Sequence, residues 1–577
     1  MEKQELKKLI AVAAGDIPSD LVLTNCKIID IYTGKIKEGN IAISGQFIAG
    51  IGDYKGKVTI DGQGKYAAPG FIDGHIHIES SYLCPEELGK LLVPHGTTTI
   101  IADPHEIANV CGLIGLDYML KASQGSALDI KMMLPSCVPA TPFEHSGATI
   151  TSREMTAPLA TNKVLGLGEF MNYPGVIAGE DEILNKLLAA INTDKIIDGH
   201  SPGLQGLGLN AYAAAGVKTD HECATVKEME DRLSCGFYVL LRQGSACHNL
   251  ETLVKGVTPF NSRRCLLCAD DLQAKTILSQ GHIDHSLRLC VKNGLDPLLA
   301  LQMATLNAAE CYGLKDRGAL SPGLKANIVL LDDLKEFRVN KTFINGQLVA
   351  QKGEYLLPLA HEDSSVTQGK FKLKDFSPQK LKLKLTSSKV HVIKVIPGEI
   401  VTTNDVETVK LSSKQEFVYN PQQDIVKVAV VERHQNTGNV AVALLKGYGL
   451  KQGALAVSVA HDSHNIIVVG VRDEDMAIAT EQLAAQGGGI ILVKNGEILE
   501  KMPLPIAGLM TDQTGAWVDQ KLVAIHKLAH EALGVKKEVE PIMTLSFMSL
   551  AVIPELKLTD MGLFDVKAFK FIALEAQ

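Results

Sequence analysis

Residues 69–79 read Pro69-Gly70-Phe71-Ile72-Asp73-Gly74-His75-Ile76-His77-Ile78-Glu79. Phe71, Ile72, Ile76 and Ile78 suit a buried strand, on which residues two apart share a face, so His75 and His77 aim two imidazoles at one point. Histidine is the commonest nitrogen ligand of divalent first-row metals, and such a pair can grip a cation. A hydrogen-bonded polar pair in a core fits the same two residues, and the choice rests on the company they keep further along the chain. Polar groups recur there at the ends of apolar runs: Asp103 with His105 and Glu106, Glu169, His200, His221 with Glu222, Arg242 with Gln243, and Asp270 with Asp271. Histidines with carboxylates, and no pairing of cysteines, favour a borderline-hard ion such as manganese, iron or zinc.

The runs that deliver these groups are residues 71–78, 97–102, 130–135, 164–168, 195–199, 217–220, 237–241 and 265–269. They alternate with helical stretches such as residues 85–92, the mark of βα units around a parallel sheet. Eight units over about 250 residues make a (β/α)8 barrel of the TIM type, whose active sites form at the C-terminal ends of the strands. A purely structural barrel has no need of so many carboxylates and imidazoles on one rim.

Short β-type runs across residues 20–68, and another over residues 339–353, are expected to combine as one composite β-sandwich flanking the barrel. The fold class is therefore α/β, with residues 1–68 and 315–363 as the two parts of the sandwich and residues 69–314 as the barrel. Residues 364–384, rich in Lys, Ser and Gln, read as an exposed linker, and residues 385–577 as a further C-terminal α/β domain. Gly487-Gly488-Gly489 lacks the G-K-[ST] of a phosphate loop and reads as a tight helix-to-strand turn.

A chain of 577 residues with 46% hydrophobic and 21% charged residues is a globular protein of two to four domains. Its net charge of -8 argues against a nucleic-acid partner. The opening Met1-Glu2-Lys3-Gln4-Glu5 lacks an apolar signal core and no stretch has the length of a membrane span, so a cytoplasmic location and no membrane partner are expected. All 11 cysteines lie between Cys26 and Cys311 at irregular spacing, which fits buried thiols rather than a disulfide framework. Cys265 and Cys268 form a C-x-x-C, but on a strand their sulfurs face opposite sides.

Two sets of motifs carry a family resemblance. The Pro69-to-His77 segment, with Ala304-Thr305-Leu306-Asn307 and Pro322-Gly323-Leu324-Lys325-Ala326-Asn327, resembles the amidohydrolase superfamily over most of residues 20–360. Asp103-Pro104-His105-Glu106, Gly168-Glu169-Phe170-Met171-Asn172, Asp198-Gly199-His200-Ser201-Pro202, Thr219-Asp220-His221-Glu222 and Cys268-Ala269-Asp270-Asp271, with the additional C-terminal domain, resemble its adenine deaminase branch. The resemblance implies two divalent ions per chain, manganese before iron or zinc. It makes His75 and His77 ligands of the first, His200 and His221 ligands of the second, and Asp270 the strand-eight carboxylate. Relatives often bridge their metals with a carboxylated lysine on strand four, and Glu169 stands there instead as the bridging ligand.

The implied activity is hydrolytic deamination of adenine to hypoxanthine and ammonia, a purine-salvage reaction, by metal-activated hydroxide attacking C6. Asp270 is expected to take the proton of the hydroxide, Glu106 to protonate ring nitrogen N1, and Asp103 to orient Glu106 or the base. Arg242 is expected to hold substrate or a neighbouring carboxylate, and His464 to close over the substrate. A homo-oligomer, a dimer, is the expected assembly. Hydrolysis of a cyclic amide or an N-acyl group on the same scaffold, and a non-catalytic assembly protein, are the alternatives.

Overall fold

The structure is a computed structural model and describes residues 2–245 and 247–576. The chain divides into two units. One holds the residues up to Pro104 with Met119–Ser136 and Thr151–Glu362, the other His105–Tyr118, Cys137–Ile150 and the residues from Asp363 on.

The first unit contains the barrel. Its strands are β1 (Phe71–His77), β2 (Thr97–Ala102), β3 (Asp129–Met132), β4 (Gly166–Phe170), β5 (Ile196–Gly199), β6 (Thr219–Asp220), β7 (Tyr238–Arg242) and β8 (Cys265–Cys268, continued by Asp270–Asp271). Parallel ladders join β1 to β2, β2 to β3, β4 to β5, β6 to β7 and β7 to β8. A bridge from Leu134 to Leu167 links β3 to β4, the Lys218 N–H donates to Ile197 O between β5 and β6, and Asp270 and Asp271 pair with Ile76 and His77 to close the ring. Alternation along the strands explains the packing. Leu240 and Leu266 join one apolar cluster with Ile72, Ile101 and Met133, while their neighbours Leu241 and Leu267 join another with Ile283, Leu287 and Leu301.

The two flanks of the barrel meet in one ladder of nine strands rather than in two separately laddered sheets. Tyr66–Pro69 is the seam, paired in parallel with Ser19–Asp30 and antiparallel with Ile328–Leu331. Leu23, Ile41, Ile43, Ile328, Leu330 and Phe343 from both flanks share its core.

The second unit is built on an eight-stranded sheet in the spatial order Thr402–Thr408, Lys389–Val395, Val440–Lys446, Ile425–Val431, Ile466–Gly470, Ala454–Val457, Gly489–Lys494 and Glu497–Pro503. Helix Asp473–Ala485 buries Met476, Ala479 and Leu483 against Ala454, Val468 and Ile491. Between this helix and strand Gly489–Lys494, Gly487, Gly488 and Gly489 have φ of 85°, 97° and 111°, the left-handed turn that glycine permits. The segment expected as an exposed linker is partly core. Leu381 is fully buried in the same cluster and Phe371, Leu373 and Phe376 pack on it, because the intervening lysines spread over its surface while the apolar residues turn in.

Both sulfurs of the C-x-x-C are buried, which pushes the Cys265 thiol up to about 12 and Cys268 well above the usual range. No helix among the described residues is long and apolar enough to cross a membrane.

Candidate metal centre

Strand β1 delivers His75 and His77 with their Nε2 atoms 3.2 Å apart. Asp270 Oδ1, on the extension of β8, lies 3.1 Å from His77 Nε2 and 3.8 Å from His75 Nε2. Bonds of about 2.0–2.2 Å to one ion set ligand atoms roughly 3.3 Å apart; two of these three pairs stand near that separation and the His75–Asp270 pair is wider. The choice between the adjacent aspartates is visible in the geometry: Asp270 turns to the histidines, while Asp271 Oδ1 accepts a hydrogen bond from Ser80 Oγ. Asp270 has φ of 62°, a left-handed conformation that aspartate tolerates better than most residues.

Glu169, on β4, faces both histidine groups. Its Oε1 is 3.4 Å from His77 Nε2, and its Oε2 is 2.7 Å from His200 Nδ1 and 3.3 Å from His221 Nε2. The rings of His75 and His221 stack at 4.2 Å, drawing the two groups together. Glu222 adds a carboxylate not expected as a ligand, 3.4 Å from His221 Nε2 and 3.7 Å from His200 Nδ1. In the sequence it stands directly after His221, among the polar groups at the ends of the apolar runs.

Hydrogen bonds prepare these side chains for a cation. His77 Nδ1 lies 3.0 Å from Asp103 O, and donation to that carbonyl leaves the Nε2 lone pair for an ion. Asp103 also accepts the Glu169 N–H on Oδ2 at 2.8 Å, so it orients two of the expected ligands. Gly168 makes room for this contact, since a Cβ there would fall 2.2 Å from Asp103 Oδ2.

Burial opposes ionisation of Glu169 and Asp270, yet His200 and His221 hold the Glu169 carboxyl well below the usual range, and Arg242 with His77 does the same for Asp270. Burial and the adjacent imidazoles push His75 well below its ordinary value, the neutral form a metal requires. Burial opposes charge on His77 and His221 too, but the Asp270, Glu169 and Glu222 carboxylates raise both well above it. Three carboxylates against one guanidinium leave a negative excess that either protons or metal ions satisfy. The donor set fits divalent metal.

Arg242 is spent on this cluster. Its guanidinium donates to Glu222, to Asp270 Oδ2 at 2.7 Å and to Asn249 Oδ1 at 3.2 Å. Of its two expected roles the structure selects the grip on carboxylates, because a buried guanidinium between two of them has no N–H facing elsewhere to spare. Asp198, unremarked in the spacing of the ligands, is pushed up to about 7 by burial and accepts from Thr219 Oγ1 at 2.8 Å.

Glu106 belongs to the second unit, in helix His105–Cys111, whose seven residues are all buried. His461 Nδ1 lies 2.7 Å from its Oε1, His105 Nε2 3.4 Å from the same oxygen, and His464 Nε2 bonds Oε2. The Ala460 N–H donates to His464 Nδ1 at 3.1 Å, so the His464 proton resides on Nε2 and points at Glu106. Burial pushes His464 down to about 4, and it stays neutral. Burial alone would raise Glu106, but the three imidazoles hold its carboxyl well below the usual range. The expected proton donor Glu106 is thus held as a carboxylate among imidazoles, and His464, expected to close over the substrate, faces Glu106 and the Ala460 N–H of its own unit.

A parallel barrel with histidines and carboxylates converging at the C-terminal ends of its strands defines a metal-dependent amidohydrolase, and residues 66–349 match the Amidohydrolase family. Residues 399–570 match the Adenine deaminase C-terminal domain. The chain is 64% identical to "Adenine deaminase 2" of Desulfotalea psychrophila over all of both chains. It is 50% identical to "Adenine deaminase" of Ligilactobacillus salivarius over all of both chains, and 46% identical to "Adenine deaminase" of Nitratidesulfovibrio vulgaris over 98% of each. The chain belongs to the adenine deaminase family.

Proposed function

We propose that the protein hydrolyses adenine to hypoxanthine and ammonia with two divalent ions, manganese by preference and iron or zinc as substitutes. The observation that carries this reading is Glu169, whose two oxygens address the His77 side and the His200–His221 side of one cluster. His75, His77 and Asp270 would hold one ion, His200 and His221 the other, with Glu169 between them. Such ions, when bound, lower the pKa of water enough to supply hydroxide near neutral pH for attack at C6.

The chain's own residues then manage protons. Asp270, kept ionised by Arg242, accepts the proton released by the attacking water. N1 must gain a proton as negative charge builds on the ring, and Glu106 is the residue we assign to deliver it. Because Glu106 is ionised, that proton must first reach it, and His461 Nδ1 at 2.7 Å is placed to supply one. Asp103, expected to orient Glu106 or the base, bonds the Glu169 N–H and meets His77 through its carbonyl, which supports a role in orienting these two ligands.

Ammonia release from adenine, measured on protein whose Mn2+ content has been counted, tests the reading. Glu169→Gln should lose Mn2+ and activity together while the far-UV circular dichroism is unchanged. Full activity with at most one ion per chain would refute the paired centre. Release from cyclic amides but not from adenine would move the protein to the alternative hydrolysis.

A further inference from the structure

Strands β1 and β8 carry His75, His77 and Asp270, and they are where the barrel closes. Between them the backbone ladder covers Asp270 and Asp271 against Ile76 and His77. One step below, a side chain takes over. Asp73 Oδ1 accepts the N–H of His75 on its own strand and the N–H of Ala269 on β8, both at 3.1 Å. The strands approach closely there, since a Cβ on Gly74 would lie 3.2 Å from Leu267 O.

The other oxygen of Asp73 meets His282, whose Nε2 lies 2.8 Å from Oδ2. On the far side of the ring, His282 Nδ1 is 2.7 Å from Thr97 Oγ1 at the start of β2. Asp284 fixes the backbone of His282 by accepting its N–H at 2.7 Å, and is itself bound by His95 and Arg288. Asp73, Thr97, His282 and Asp284 are all buried. With the hydroxyl of Thr97 donating to Nδ1, the imidazole carries its proton on Nε2 and donates it to Asp73. Every polar atom of this chain of contacts is then satisfied without water.

We propose that His282 is a positioning residue for the metal centre, acting through Asp73 to hold the strands bearing His75 and Asp270 at their ligating separation. The proposal rests on the metal reading of the rim. Neither residue belongs to the groups of side chains that could hold an ion. Asp73 ties the backbone of one ligand to that of the residue before another, and His282 keeps the carboxylate from turning out of the seam.

Mn2+ affinity, measured by competition with a chelator on metal-depleted full-length protein, tests it, with thermal unfolding of the metal-free form as the check on folding. His282→Leu should weaken Mn2+ binding by roughly 10–100-fold, the usual consequence of losing a group that orients a ligand. His282→Gln, which offers an amide N–H near the Nε2 position, should restore most of it. Asp73→Asn should stay within a few-fold of wild type. Its oxygen still accepts both backbone N–H groups, and the imidazole can move its proton to Nδ1, accept from the Asn amide and donate to Thr97. Asp73→Ala should weaken binding as much as His282→Leu, and adding His282→Leu to it should do no further harm.

Wild-type affinity in His282→Leu, additive losses in the double variant, or equal losses in the Leu and Gln variants would overturn the proposal. If His282→Leu does not fold, a folded His282→Gln with weak binding overturns it and one with near wild-type binding supports it. Wild-type protein that takes up no Mn2+ would instead refute the metal reading on which the proposal rests.

Discussion

The charges at the rim depend on one another more than on the surrounding protein. Arg242 is the single guanidinium set against Glu222 and Asp270, and all three are buried or nearly so. Removing one partner from a buried ion pair leaves the others uncompensated, at a cost of about 3–5 kcal/mol. Arg242→Met is therefore expected to lower the melting temperature of the metal-free protein by several degrees, and saturating Mn2+ should recover part of the loss by neutralising the same carboxylates. An unchanged melting temperature would mean that protons on His77 and His221 already balance the cluster. The residue scale is also where sequence reading reached furthest and stopped most abruptly. His75, His77, Glu169, His200, His221 and Asp270 are all legible from the ends of the apolar runs, and all six converge. Glu222 stood among the same polar groups but was not singled out as a ligand, because it directly follows His221, which fills that place. Asp198 gave none because it lies inside its run rather than at the end.

Among the elements, β4 shows how tightly a strand must be built to serve the site. Gly166–Phe170 is buried along its whole length, and Gly168 lies against the carboxylate that bonds the N–H of Glu169. Gly168→Ala would drive a methyl group into Asp103, so Asp103 must rotate, releasing Glu169 N–H on one side. The expected outcome is a destabilisation of about 1–3 kcal/mol, typical of overpacking, together with loss of Mn2+ affinity. Denaturant unfolding and metal titration of the same variant check it, and a stable variant with wild-type affinity would show that Asp103 can move without disturbing the ligand. Strand positions were readable to within a few residues because β-branched and aliphatic runs end in polar groups. The single nine-stranded ladder was less so, since Tyr66–Pro69 pairs with strands from both ends of the barrel and nothing in its four residues announces a double role.

At the scale of the molecule, the chain does not add its C-terminal domain as an appendage. His105–Tyr118 and Cys137–Ile150, inserted in the barrel sequence, belong to the unit formed by the residues after Asp363. Deleting residues 363–577 would strip Glu106 of His461 and His464, and His145 of Asp560, whose Oδ2 lies 2.6 Å from its Nδ1. A fragment ending at Glu362 is expected to be poorly soluble and to be cut by protease within residues 105–118 and 137–150. A fragment that melts cooperatively and binds Mn2+ like the full chain would show the barrel to be self-sufficient.

Sequence by itself determined the βα alternation, the rim residues and the acidic balance of the chain, because these arise from local periodicity and from composition. Tertiary structure alone decided how the polar groups are shared. Asp270 rather than Asp271 faces the histidines, Glu106 is ionised by imidazoles more than 350 positions away, and Asp73 is held by a histidine 209 positions along the chain. A buried charge takes its protonation state and its partner from whatever the fold brings within a few ångströms, and that distance has no counterpart in spacing along the sequence.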